Sequence, residues 1–281
     1  MSANTLRIGD VEILAVVDAA VPRAPRHALF PQVPEEQWAP YREFLEDDGK
    51  SFPVVITSFV VRSGGKTILV DSGIGPRERP YFPTGRLPDA LREAGIGLDD
   101  IDIVLATHIH IDHVGWHTID IGGDCVPAFP NARYVFNRAE WDFFTKPEEC
   151  ASDDRQYVRD CVLPLRDCGA NVELVEGEHV LTDELTLLQT PGHTPAHVSV
   201  AIASQGEAGL IIGDVCHHPA QVSETEWSPL FDMNPVLSAQ SRESLMQRIE
   251  DERMTMLAGH FASPGFGRIV RADGRRYWRA L

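Results

Sequence analysis

Ile103-Val-Leu-Ala-Thr-His-Ile-His-Ile-Asp-His113 is the stretch on which the fold turns: an apolar run that leads into three histidines and an aspartate within six positions. Side chains alternate direction along extended or turning backbone, so His108 and His110 can face one ion together. Asp112 and His113 come after the chain has turned, where they can face a second ion close by. Imidazole nitrogen and carboxylate oxygen suit Zn²⁺ first, and the same donors accept manganese, iron or cobalt.

Three more candidate ligands follow, each at the end of an apolar segment and each in a setting of glycine, proline or small residues, where loops at strand ends build sites. Leu185-Thr-Leu-Leu-Gln-Thr-Pro-Gly192 runs into His193, Leu210-Ile-Ile-Gly213 into Asp214, and Met254-Thr-Met-Leu-Ala-Gly259 into His260. With the first cluster these fit a site for two divalent ions. His108, His110 and His193 would hold one ion, Asp112, His113 and His260 the other, with Asp214 between them.

The motif Thr107-His-Ile-His-Ile-Asp-His113, the turn Thr190-Pro-Gly-His193, Gly213-Asp214 and Gly259-His260 together resemble the ordered signature of the metallo-β-lactamase-fold hydrolases. Thr67-Ile-Leu-Val-Asp71-Ser-Gly73 is similar to an early strand and turn of that superfamily, where the aspartate is structural. Asp112-His-Val-Gly-Trp116, Phe129-Pro-Asn-Ala-Arg133 and Gly259-His-Phe-Ala-Ser-Pro-Gly265 resemble the subgroup of methyl parathion hydrolase and quorum-quenching lactonases. The resemblance runs from about residue 55 to 262. It implies an α+β, four-layer αββα sandwich and a metal-bridging hydroxide as nucleophile. Asp112 and His217 become the catalytic candidates: Asp112 to carry a proton to the leaving group, and His217, where lactonases of the superfamily have a tyrosine, to orient the substrate or to support a ligand.

At 281 residues and 43% hydrophobic content, with no long linker, the chain reads as one domain spanning 1–281. Its formal net charge of −17 and lack of a basic stripe argue against nucleic acid as a partner. No Arg/Lys cluster lies near the motifs, which fits a small-molecule substrate without strong negative charge. The N-terminus has no signal-like segment and no apolar run is long enough for a membrane span, so the expected compartment is the cytoplasm. Five cysteines without a Cys-x-x-Cys pair give neither a disulfide framework nor a zinc knuckle, and Cys216 reads as a packed thiol.

Strands are expected over 6–17, 54–62 and 66–70, the last two joined by a turn at Gly64-Gly65. Helices are expected over 87–94, 138–145, 154–163 and 239–252. Residues 21–52, broken by prolines yet carrying Phe30, Trp38, Tyr41 and Phe44, read as an irregular cap over the pocket or as an arm for a homodimer. His197 reads as a structural histidine, and His117 as an exposed one.

The function expected is therefore a dinuclear metal-dependent hydrolase acting on a lactone such as an acyl-homoserine lactone, with aryl ester or organophosphate activity beside it. Two alternatives come from the same fold. One is a thioester hydrolase resembling glyoxalase II, with Arg268, Arg271, Arg275, Arg276 and Arg279 forming a glutathione groove; the other is a mononuclear-iron persulfide dioxygenase. The absence of a Gly-x-Ser-x-Gly elbow removes the serine-esterase reading.

Overall fold

The apolar run ahead of the histidine motif is a three-residue inner strand, Ile103–Leu105, with hydrogen-bonded neighbours on both sides. In the computed structural model, which describes residues 4–79 and 82–281, it belongs to the first of two seven-stranded sheets. Residues 1–3, where the stretch read for a signal begins, lie outside the described residues.

The first sheet is built from β1 (Thr5–Ile8), β2 (Val11–Pro25), β3 (Ser51–Ser63), β4 (Lys66–Val70), β5 (Ile103–Leu105), β8 (Arg133–Asn137) and β9 (Asn171–Val175), side by side in that order. The small hairpin of β6 (Thr118–Ile121) and β7 (Asp124–Pro127) stands apart. The second sheet runs in simple sequence order through β10 (His179–Thr182), β11 (Leu185–Gln189), β12 (Val198–Ser204), β13 (Glu207–Ile211), β14 (Thr255–Leu257), β15 (Phe266–Ala272) and β16 (Arg275–Ala280). Both sheets are mixed: β4, β5, β8 and β9 pair in parallel, as do β13 and β14, and the other pairs are antiparallel.

Period-two alternation explains the layering. Phe59, Val61, Ile68, Val70, Ile103 and Leu105 point into the core between the sheets, while Val60, Leu69 and Val104 point outward under the helices. Strands covered on both faces read as continuous apolar runs, as β4 and β5 do. In the second sheet Met256 and Leu210 face outward, against Leu245, Met246 and Ile249 of the long helix Pro235–Asp251. The result is the αββα sandwich.

Two segments differ from the expected ones. The strand expected over 6–17 is a hairpin, because Gly9 takes a left-handed φ of 56° and the chain reverses between Ile8 and Val11. Residues 154–163 form a 3₁₀ turn at Asp153–Arg155 and a wide turn at Val158–Val162 instead of one helix. β2 continues to Pro25, and the irregular stretch after it folds onto its own chain: Phe30, Trp38, Tyr41 and Phe52 are buried with Trp227. Among the described residues no helix is long and apolar enough to cross a membrane.

Candidate metal centre

The parallel pairs β4/β5 and β13/β14 lie in different sheets, yet their carboxyl ends meet at one edge of the sandwich. Asp71 follows β4, the Thr107–His113 segment follows β5, Asp214 follows β13 and His260 follows β14. His193 comes from the turn between β11 and β12. Gly213 brings Asp214 in: its φ is 54°, and a Cβ there would lie 2.5 Å from His197 Nε2. That nitrogen accepts the Asp214 N–H at 2.9 Å.

The seven residues expected as ligands are drawn together around Asp214, whose two oxygens face different ways. Oδ2 lies 3.6 Å from His108 Nε2 and 3.3 Å from His193 Nε2, and His110 Nδ1 is 3.0 and 2.9 Å from those two nitrogens. Oδ1 lies 3.2 Å from His113 Nε2 and 3.1 Å from His260 Nε2. Asp112 closes that second group, its oxygens 3.7 Å from His113 Nε2 and 3.5 Å from His260 Nε2. Within each of the two groups the donor atoms lie within 4.8 Å of one another, so each could hold a metal ion.

The fixed partners of the rings show what this arrangement is suited to. His113 Nδ1 is 2.9 Å from Asp71 Oδ2, His193 Nδ1 is 2.9 Å from Asp232 Oδ1, and His260 Nδ1 is 2.9 Å from the Val55 carbonyl. Thr107 Oγ1 donates to Asp71, which leaves it to accept from His108 Nδ1 at 3.0 Å. Each of these four rings has its Nδ1 partnered and turns its Nε2 toward the Asp214 carboxylate. A buried carboxylate ringed by Nε2 atoms calls for positive charge among them, as ring protons or as a metal cation, and His113 Nε2 is buried without a hydrogen-bond partner. The donor set therefore fits divalent ions with a nitrogen and oxygen preference.

Asp214 and the rings around it stabilise opposite charges. Burial opposes ionisation of Asp214, but His113, His260, His217 and His108 outweigh it and hold the carboxyl well below the usual carboxylate range. Burial likewise opposes protonation of His193, and Asp214 and Asp232 overcome it, raising that ring to about 9. At His108 and His110 burial, joined by the neighbouring rings, outweighs the pull of Asp214 and carries both well below the ordinary histidine value.

His217 Nε2 lies 3.0 Å from Asp214 Oδ2, and its ring stacks on that of His260 at 5.3 Å. Burial lowers its pKa to about 4 against the pull of Asp214. His117, expected at the surface, is instead fully buried, with Nδ1 2.9 Å from Ser72 Oγ, because the turn after the motif folds inward. His197 sits beneath the site, its Nδ1 2.8 Å from Thr190 Oγ1. The buried Cys216 thiol is pushed up to about 12 by desolvation.

Three supporting groups escape sequence reading. Asp232 is one, and Arg242, fully buried on the long helix, is its partner. All five N–H groups of Arg242 are spoken for: by the carbonyls of Val215, Thr225 and Trp227, by Ser238 Oγ and by Asp232 Oδ2. One guanidinium thus braces the carboxylate behind His193 and the peptide next to Asp214. Glu140, the third, is buried and accepts the N–H groups of Ile109 and Ala196 at 3.0 Å each, tying the two histidine loops together. No spacing marks any of them: on a helix, Glu140 and Arg242 read as solvated charges, and Asp232 lies among exposed apolar residues.

Beside His217 and His260 lies a cleft of about 140 Å³, walled by Phe44, Leu45, Pro53 and Trp278 and edged by Glu43 and Glu46. On the other side the half-exposed Phe231 ring stands 4.8 Å from His217. Of the C-terminal arginines, Arg271 pairs with Glu250, Arg275 with Glu224, and Arg276 with Glu243 and Glu250, while Arg268 and Arg279 lie opposite each other on β15 and β16.

A family model described as the metallo-beta-lactamase superfamily matches residues 52–119. An N-acyl homoserine lactonase of Bacillus thuringiensis is 25% identical over 175 residues, covering 62% of each chain, so the match spans less than two thirds of that relative. Among solved structures, hydrolase AbOPH in the beta lactamase superfamily is similar with a TM-score of 0.85 and 25% identity, over 99% of this chain and 96% of its own. AidC, a dizinc quorum-quenching lactonase, gives a TM-score of 0.83 at 19% identity, with 99% and 96% covered.

Proposed function

The chain carries a metallo-beta-lactamase superfamily domain, and from that premise we propose that it is a dinuclear metal-dependent hydrolase of small ester-like molecules. A lactone such as an acyl-homoserine lactone is the first substrate, with aryl esters and organophosphates behind it. The observation that carries this reading is the division of the Asp214 carboxylate between two separate groups of donors. His108, His110 and His193 would hold one ion, Asp112, His113 and His260 the other, and Asp214 both. Zinc is the ion proposed, supported by a dizinc neighbour, and the lactonase relatives support the lactone.

When bound, two such ions supply a water acidic enough to act as nucleophile near neutral pH and a Lewis acid for the scissile carbonyl. The remaining work falls to the chain. Asp112, the least buried of the carboxylates at the site with 17% side-chain exposure, is the group we assign to carry a proton to the leaving oxygen. His217 is the group we assign to orient the substrate: its ring lines the cleft, with Nε2 held at Asp214 and Nδ1 without a protein partner. Phe231 and the apolar wall of the cleft receive the uncharged part of the substrate, and Glu43 and Glu46 keep negative charge away from this side of the centre. Residues 1–281 act as one domain in this reading, with 21–52 as the cap that forms the cleft wall. The thioester alternative is less favoured, since ion pairs engage Arg271, Arg275 and Arg276 of the five arginines its groove would need.

A hydrolysis panel of lactones, aryl esters, a phosphotriester and a glutathione thioester tests the proposal, with turnover of lactones or neutral esters expected. His217→Ala should lower kcat on the best substrate by about 10²-fold, in the range of a lost acid–base or orienting group, with both ions retained. If instead one ion is lost on elemental analysis, His217 serves to hold Asp214 and not the substrate.

A further inference from the structure

Arg155 has no part in the reading above, although two independent routes fix it to the histidine motif. Its guanidinium lies over the Phe144 ring at 4.7 Å, and that ring meets His110 edge to face at 5.9 Å. Its Nη1 also donates to Tyr157 Oη at 2.8 Å, and Tyr157 Oη donates to the carbonyl of Ile109, the residue between His108 and His110, at 3.0 Å. Phe144 and Tyr157 are both buried, so the guanidinium is held on a rigid seat at the His110 side of the site.

The bond to Tyr157 is the one hydrogen bond the Arg155 guanidinium makes among the described residues, and no carboxylate there is in ion-pair contact with it. Four of its five N–H groups are therefore without a protein acceptor. Many arginines of this acidic chain are engaged by carboxylates, Arg271, Arg275 and Arg276 among them.

We propose that Arg155 is a specificity-determining residue that binds a second oxygen acceptor of the substrate, a carbonyl or carboxylate separate from the scissile ester, on the His110 side of the centre. This rests on the hydrolase reading and narrows its substrate class: esters or lactones bearing such an acceptor should be favoured over plain ones. A planar fork presents paired donors that a point charge cannot reproduce.

The test compares the metal-loaded protein with Arg155→Gln and Arg155→Lys on three aryl esters of matched size, carrying no distal acceptor, a distal amide or a distal carboxylate. Arg155→Gln should lower kcat/KM about ten- to a hundredfold for an acceptor-bearing ester, mainly through KM, and leave the plain ester within about twofold. Arg155→Lys should recover part of the loss for the carboxylate and less for the amide. Which of the two esters responds identifies the acceptor. Equal loss on all three esters, or no loss on any, would overturn the proposal. Calorimetric binding of uncleaved N-acetylglycine separates the two claims. Arg155-dependent binding without turnover of any ester keeps the anchor and rejects the hydrolase, whereas turnover with Arg155-independent binding does the reverse.

Discussion

Asp214→Ala is expected to lose both metal ions and to lower hydrolysis by about 10³-fold or more, since the nucleophile and the Lewis acid are both supplied through the ions. The reason lies in the split of its oxygens, Oδ1 toward His113 and His260, Oδ2 toward His108 and His193. A residue that served one ion alone would leave the other bound. Removing a mere support for a ligand costs about 10–100-fold in affinity, and loss of a shared ligand should exceed that for each ion. Equilibrium dialysis against zinc at graded concentrations, with circular dichroism as the control for folding, reads the outcome directly. Retention of two ions by the variant would remove the bridging assignment.

The second large effect is on stability. Arg242→Met should destabilise the fold by about 3–5 kcal/mol, because it strands the buried Asp232 carboxylate without its cation and leaves the carbonyls of Val215, Thr225 and Trp227 without this donor. Urea unfolding measures it. The double variant Asp232→Asn with Arg242→Met should be less destabilised than the sum of the single ones, since neutralising both partners removes the uncompensated charge. Simple additivity in that cycle would mean that the Arg242–Asp232 pair, 3.2 Å apart, is not energetically coupled. His193, whose Nδ1 rests on Asp232, should meanwhile loosen its ion more than the Asp112, His113 and His260 group loosens the other.

The parts of this molecule legible in its sequence are those where one local rule decides. Apolar runs such as Thr67–Val70 and Ile103–Leu105 announce strands buried on both faces, and the residue types at 108–113 announce a metal site because no other common role calls for three histidines and an aspartate so close together. His193, Asp214 and His260 were legible as strand-end residues followed or preceded by small ones. The expected hydrolase family and the αββα sandwich followed from the order of these motifs, and the fold and the family match agree with both.

What stayed hidden depends on contacts remote in sequence. Gly9 inside an apolar stretch gave too little weight to a turn. His117 looked exposed because nothing local tells that the loop after the motif folds under Tyr134 and Phe136. Arg242 and Glu140 sit on helices whose polar residues normally face water, and their partners come from segments remote in sequence, Val215, Thr225, Trp227 and Asp232 for the one and Ile109 and Ala196 for the other. Arg155 lies more than forty residues from the motif it touches, so no reading of charge near the motifs could find it.

The central claim is that one chain holds two divalent ions around Asp214. Elemental analysis of the purified protein, after dialysis against limiting and then excess zinc, counts them. Two ions per chain at saturation, falling to none in Asp214→Ala, is the predicted result; one ion per chain at every zinc concentration would contradict it.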